Sequence, residues 1–131
     1  MKITQFIFVG LLFLYSCVTS AHDLRHGDFS FGSIEPNGDI RINGIVKGRF
    51  EPSGDIRVQG NVDGRINSDG TILKNSRVVG KVDANGDVRI DGTVKGKIER
   101  NGNVVEKGVV IGSAIGIKKE QAAVVFFFGF F

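Results

Sequence analysis

The chain has 131 residues, enough for one ordinary domain with a modest core. Its 17 basic and 14 acidic residues leave a formal charge of +3, too balanced to argue for a nucleic-acid partner. One Cys and two His supply neither a disulfide framework nor a structural zinc site, and leave little material for a His-based catalytic centre.

In chain order, residues 1–21 read as an export signal. Met1-Lys2 is a short positive start, and Phe6 to Val18 is a nearly unbroken apolar run of 13 residues. A bilayer-spanning helix needs about 20 apolar residues, so the run suits a signal-peptide core instead. Cleavage after Ala21 would leave residues 22–131 as one exported domain, periplasmic or secreted. The alternative is a lipobox at Leu14-Tyr15-Ser16-Cys17, which would lipidate Cys17 and anchor the chain to the envelope.

The remainder is a 16-residue repeat. Asn37–Pro52 (NGDIRINGIVKGRFEP), Ser53–Ser68 (SGDIRVQGNVDGRINS) and Asn85–Arg100 (NGDVRIDGTVKGKIER) are close copies. Asp69–Ala84 is degenerate, and Asn101–Gly116 closes the series. The half-unit Gly32–Pro36 precedes the first copy.

Within a unit apolar residues alternate with polar ones, which predicts strands. Ile40, Ile42, Gly44, Val46, Gly48 and Phe50 are expected to face inward. Over five units, the 30 inward positions hold 18 apolar residues and nine Gly, with Lys74, Ser76 and Glu106 departing. Asn37-Gly38 and its counterparts at 53, 69, 85 and 101 predict two-residue type I′ turns. The inward Gly44 and Gly48 predict a bend or close backbone approach.

Residues 117–131 form an apolar tail ending in FFFGFF. The fifth unit turns apolar on its outer side at Val105, Val109, Ile111 and Ile115, so the tail is expected to cover it and to plug the fold. Truncation at Gln121 is then expected to abolish folding. No helix longer than two turns is expected in residues 22–131.

Together these readings give an all-β fold of five hairpin-like units, with the tail as their cover and plug. The G-D-I-R-I-x-G-x-V-x-G-K-I repeats, the export signal and the ending IGSAIGIKKEQAAVVFFFGFF resemble the five-fold β-flower proteins, small exported bacterial proteins. That resemblance implies five β units around a pseudo-five-fold axis, and no activity. The G-x-V-x-G-x-I segments also resemble bactofilins, which implies a polymer-forming right-handed β-helix.

Chemistry-bearing constellations are few. Arg41, Arg57 and Arg89 occupy equivalent outward positions and form a candidate stripe for glycan or anionic ligands. Asp39, Asp55 and Asp87 stand two residues from them, so a self-neutralising ladder is the plainer reading. Asp83-Ala84-Asn85-Gly86-Asp87 has the start of a calcium loop but not its terminal Glu. His22 and His26 are four apart, without a third ligand, in a segment expected to be flexible. No nucleophile–base pair is present in the repeats. The expected role is therefore non-enzymatic: an exported scaffold, with no cofactor or metal, no nucleic acid and no transmembrane span. An envelope protein or glycan is its expected partner.

Overall fold

The computed structural model describes residues 21–131; the predicted signal segment and Cys17 lie outside them. Twelve strands follow one another: β1 (His22–His26), β2 (Phe29–Ile34), β3 (Asp39–Ile42), β4 (Ile45–Phe50), β5 (Asp55–Val58), β6 (Asn61–Ile66), β7 (Thr71–Lys74), β8 (Arg77–Val82), β9 (Asp87–Ile90), β10 (Thr93–Ile98), β11 (Asn103–Glu106) and β12 (Val109–Ser113). Among the described residues there is one helix, α1 (Lys119–Phe127), and residues 128–131 follow it. Every strand pairs antiparallel with its sequence neighbours, and β1 pairs with β12 to close a barrel.

The all-β class and the repeated hairpins about one axis stand as expected. The hairpins number six, because His22–Ile34 supplies one more than the five recognised repeats. Asp23-Leu24-Arg25 falls one period before Asp39-Ile40-Arg41, a match that was legible but weak. The N-terminal segment expected to be flexible is thus a strand of the wall. The β-helix alternative is overturned. Its rungs would run parallel, whereas reversing turns here make every neighbouring pair antiparallel.

Turn chemistry explains the reversals, but at different positions from those expected. Type I′ geometry lies at Asn43-Gly44, where φ is 52° and 82°, and recurs at Gln59-Gly60, Asn75-Ser76, Asp91-Gly92 and Lys107-Gly108. Gly44 is therefore an exposed turn residue rather than an inward one. At Asn37-Gly38 the turn is longer: the Gly38 amide donates to the Glu35 carbonyl at 2.9 Å, and only Gly38 has positive φ. Asn37 Oδ1 accepts the Asp39 amide at 2.9 Å, as Asn85 and Asn101 do in their own units.

A bulge recurs in each hairpin. Ile40 pairs with Gly48 but Arg41 pairs with Val46, so Lys47 is an extra residue. The slip turns Val46 and its counterparts Val62, Val78, Val94 and Val110 onto the outer wall, where they are 43–69% exposed. Strict alternation had placed them inside.

The core is one deep layer and a plug. Leu24, Ile40, Ile56, Ile72, Val88 and Val104, one from each hairpin, have no exposed surface. Opposite five of them stand Gly48, Gly64, Gly80, Gly96 and Gly112. Those glycines leave notches, and the tail fills them: Phe131, Phe130, Phe128, Phe127 and Phe126 rest on the five in that order. A Cβ added at Gly48 or Gly64 would come within 2.6 Å of a phenyl carbon. The tail is therefore the plug that its composition suggested. Its form differs, since nine residues make a helix of about two and a half turns. Ala122, Ala123 and Val124 are fully buried inside the barrel, where an enclosed backbone must satisfy its own hydrogen bonds. It does not cover the outer side of the fifth repeat: Val109 and Ile115 remain 62% and 64% exposed.

Candidate functional surface

With the lumen filled, the chemistry available to partners lies on the outer wall and the two rims. Arg41, Arg57 and Arg89 stand on β3, β5 and β9, separated by other strands rather than joined in one stripe. Each is already engaged. Arg57 Nε lies 2.7 Å from Glu51 Oε2, Arg89 Nε lies 2.7 Å from Asp83 Oδ2, and Arg41 Nε lies 3.4 Å from Glu35 Oε2. The same guanidiniums donate from Nη1 to the turn carbonyls of Gly44, Gly60 and Gly92. They clamp the long-turn rim to the tight-turn rim of a hairpin. The hydrogen bond and charge of Asp83 raise the already high pKa of Arg89 further.

Two of the three aspartates predicted to neutralise these arginines serve a second row instead, while the charge of Asp87 still acts on Arg89. Asp39 pairs with Arg49 at 3.0 Å and Asp55 with Arg65 at 2.9 Å. Both rows are partly exposed, so each pair contributes little on its own, about 0–1 kcal/mol. Their combined effect is a wall of alternating charge, and the barrel strands hold only four to six residues. That surface does not match a membrane-spanning barrel, whose strands need about 9–11 residues with a lipid-facing apolar side. Among the described residues no helix is long and apolar enough to cross a membrane.

The other candidates resolve into structure. His22 packs at the long-turn rim against Gly116, whereas His26 stacks on Phe31 at 4.3 Å and meets Phe126 edge-on at 5.4 Å. The two imidazoles do not converge. Asp83 is held by Arg89, and Asn85 caps its own turn. Among the described residues no group of three or more His, Cys, Asp or Glu could hold a metal. A shallow bowl of about 690 Å³ opens at the long-turn rim, where Gly116–Lys118 leads the tail into the barrel.

One feature of the surface escaped the sequence reading. Among the described residues, eight of nine exposed large hydrophobics cluster beside the tight turns: Phe29, Ile45, Val109 and the five bulge valines. Recognising the extra residue at Lys47 would have placed the five valines on this surface.

Fold and surface together define a repeat-built antiparallel barrel, plugged by its own C terminus and tied externally by ion pairs. Residues 40–113, more than half of the chain, match the family model described as bactofilin, polymer-forming cytoskeletal. The chain belongs to the bactofilin family. This is the second of the two resemblances; the comparisons lend no support to the five-fold β-flower. No curated protein and no solved structure gives a match.

Proposed function

We propose that this protein is a non-enzymatic, self-assembling scaffold. The observation that carries the reading is the match of residues 40–113 to a polymer-forming family. The architecture supports it in a specific way. A closed barrel has no free strand edge, so assembly must run through side-chain contacts on the wall or rims rather than by strand addition. The scaffold acts at the cell envelope, a placement supported by the apolar run Phe6–Val18 and by Cys17.

A glycan- or anion-binding stripe is the weaker reading, because Arg41, Arg57 and Arg89 already hold carboxylates. Negative-stain electron microscopy of the purified full chain at micromolar concentration tests the scaffold. Filaments or ordered arrays are expected, and a monodisperse monomer at every concentration overturns it. Fractionation with labelled palmitate tests the placement: a protein with intact Met1 in the cytosol refutes export.

A further inference from the structure

We infer that Asn43 is a site of spontaneous covalent modification, where deamidation turns the side-chain amide into a carboxylate, while the fold holds the other Asn-Gly pairs unreactive. The chain carries four such pairs, starting at Asn37, Asn43, Asn85 and Asn101. Each offers the same two reacting groups. Asparagine Cγ is the electrophile, and the amide nitrogen of the next residue, once it has lost its proton, is the nucleophile. A following glycine leaves that nitrogen unshielded by a side chain. With the dipeptide identical at all four places, the surroundings decide the rate.

Three of the pairs lie in the long turns, where both groups are tied. The amides of Gly38, Gly86 and Gly102 donate to the carbonyls of Glu35, Asp83 and Glu99, each at 2.9 Å. The Oδ1 atoms of Asn37, Asn85 and Asn101 accept the amide two residues on, at 2.9, 3.0 and 3.0 Å. The wall also closes over these glycines: the Phe50 carbonyl stands against Gly38, the Ile98 carbonyl against Gly86, and Ile115 against Gly102.

Asn43-Gly44 differs in each respect. The pair forms the tip of the tight turn between β3 and β4, where the Gly44 amide lies outside the ladder. Among the described residues that amide donates to no carbonyl, and the Asn43 side chain has no hydrogen-bond partner. Both residues are exposed, and no atom lies within 4 Å of where a Gly44 Cβ would stand. Arg41 Nη1 donates to the Gly44 carbonyl at 3.3 Å, so a guanidinium charge stands beside the turn and favours the deprotonated amide. Asn75 occupies an equivalent turn, but Ser76 follows it and its side chain shields the nitrogen.

The reaction balances with water alone as co-reactant. Hydroxide takes the Gly44 amide proton, and the nitrogen bonds to Asn43 Cγ. The bond from Cγ to Nδ2 breaks, and ammonia leaves with a proton from water. Water then opens the cyclic imide at either carbonyl, giving aspartate or isoaspartate at position 43. Either product adds a carboxylate to the tight-turn rim, and isoaspartate also lengthens the backbone of a turn whose length sets the β3–β4 register.

Peptide mapping of the full chain tests this, after parallel incubations in mildly alkaline buffer, folded and in urea. Cleavage after Lys and Arg puts the four pairs on separate peptides, and mass spectrometry reads the amide-to-acid conversion on each. A hydrogen bond that must first be broken slows a step about tenfold, so folded Asn43 should convert at least about tenfold faster than Asn37, Asn85 or Asn101. In urea the four rates should converge. An isoaspartate methyltransferase should label the Ile42–Lys47 peptide, and Asn43→Gln, which places the residue of the equivalent Gln59, should remove that label. Equal folded rates at all four pairs overturn the proposal, as does an Asn43 protected by folding to the same degree as the others. The outcome is independent of the scaffold reading, since it is read on the chain whether or not it assembles.

Discussion

Phe130→Ala tests whether the tail is a plug or a contact. Phe130 is 6% exposed, rests on Gly64 and lies beneath the Lys74 ammonium, 4.9 Å from its ring centroid. Removing a buried Phe costs about 3–5 kcal/mol through lost transfer energy and the cavity left behind. Losing the cation–π contact adds about 0.5–1 kcal/mol at a partly exposed site. We expect a loss of about 4 kcal/mol, a large share of the roughly 5–15 kcal/mol typical of a domain. At about 1.5–2 kcal/mol per molar, the urea midpoint should fall by about 2–3 M. Circular dichroism through a urea titration reads this directly. Phe29→Ala is the control: at 81% exposure it should change stability by less than about 0.5 kcal/mol. Truncation at Gln121 removes all five plug phenylalanines and should leave no cooperative transition. A loss below about 1 kcal/mol for Phe130→Ala, together with lost binding to a membrane or partner, would show that the tail is a contact.

Two further outcomes follow from the turns. Asp69 Oδ1 accepts the Thr71 amide at 3.0 Å, and this bond, with one from the Thr71 hydroxyl, holds its carboxyl below the ordinary value of 3.8. A lowered folded pKa contributes stability above 3.8 that is lost as pH falls through the folded value. Asp69→Asn keeps the acceptor, as Asn37, Asn85 and Asn101 do, so its stability should vary less than wild type in urea titrations between about pH 5 and about pH 2. Gln59 holds a φ of 51° in a turn where its counterparts are Asn43, Asn75 and Asp91. Gln59→Asn should raise stability by about 0.5 kcal/mol in thermal unfolding, since Asn tolerates this conformation better.

The sequence exposed what repeats with period 16: the strands, the rim turns and the aligned glycines. It concealed whatever depends on a single extra residue. Period-two alternation carries Val46 inward, and only the bulge at Lys47 reverses it. The helix was hidden for a different reason. Val124-Val125-Phe126-Phe127-Phe128 has no helical stripe, because a segment enclosed by a barrel is apolar on every side. The missed sixth hairpin retains Asp23, Leu24, Arg25 and Gly32 of the repeat, but replaces its tight-turn Asn-Gly with Gly27-Asp28. The candidate surface was legible in part. The apolar outer side of the fifth repeat is plain in the sequence, but the tail lies in the lumen and leaves it uncovered.

The departures from the repeat have a common physical origin. Six similar hairpins surround a plug that has no such symmetry and brings only five phenylalanines to six glycine notches. The wall must therefore differ wherever the plug does. At Gly32, the sixth notch, the nearest side chain is Ile42, and the stack of His26 on Phe31 against Phe126 fills the adjoining space. At Lys74 the inward layer gives up an aliphatic residue, and its Nζ donates to the Gly129 carbonyl at 3.2 Å where α1 has already ended. That bond satisfies a tail carbonyl that no helix turn can reach, which explains a cation at a position where Ile42, Val58 and Ile90 stand in other units.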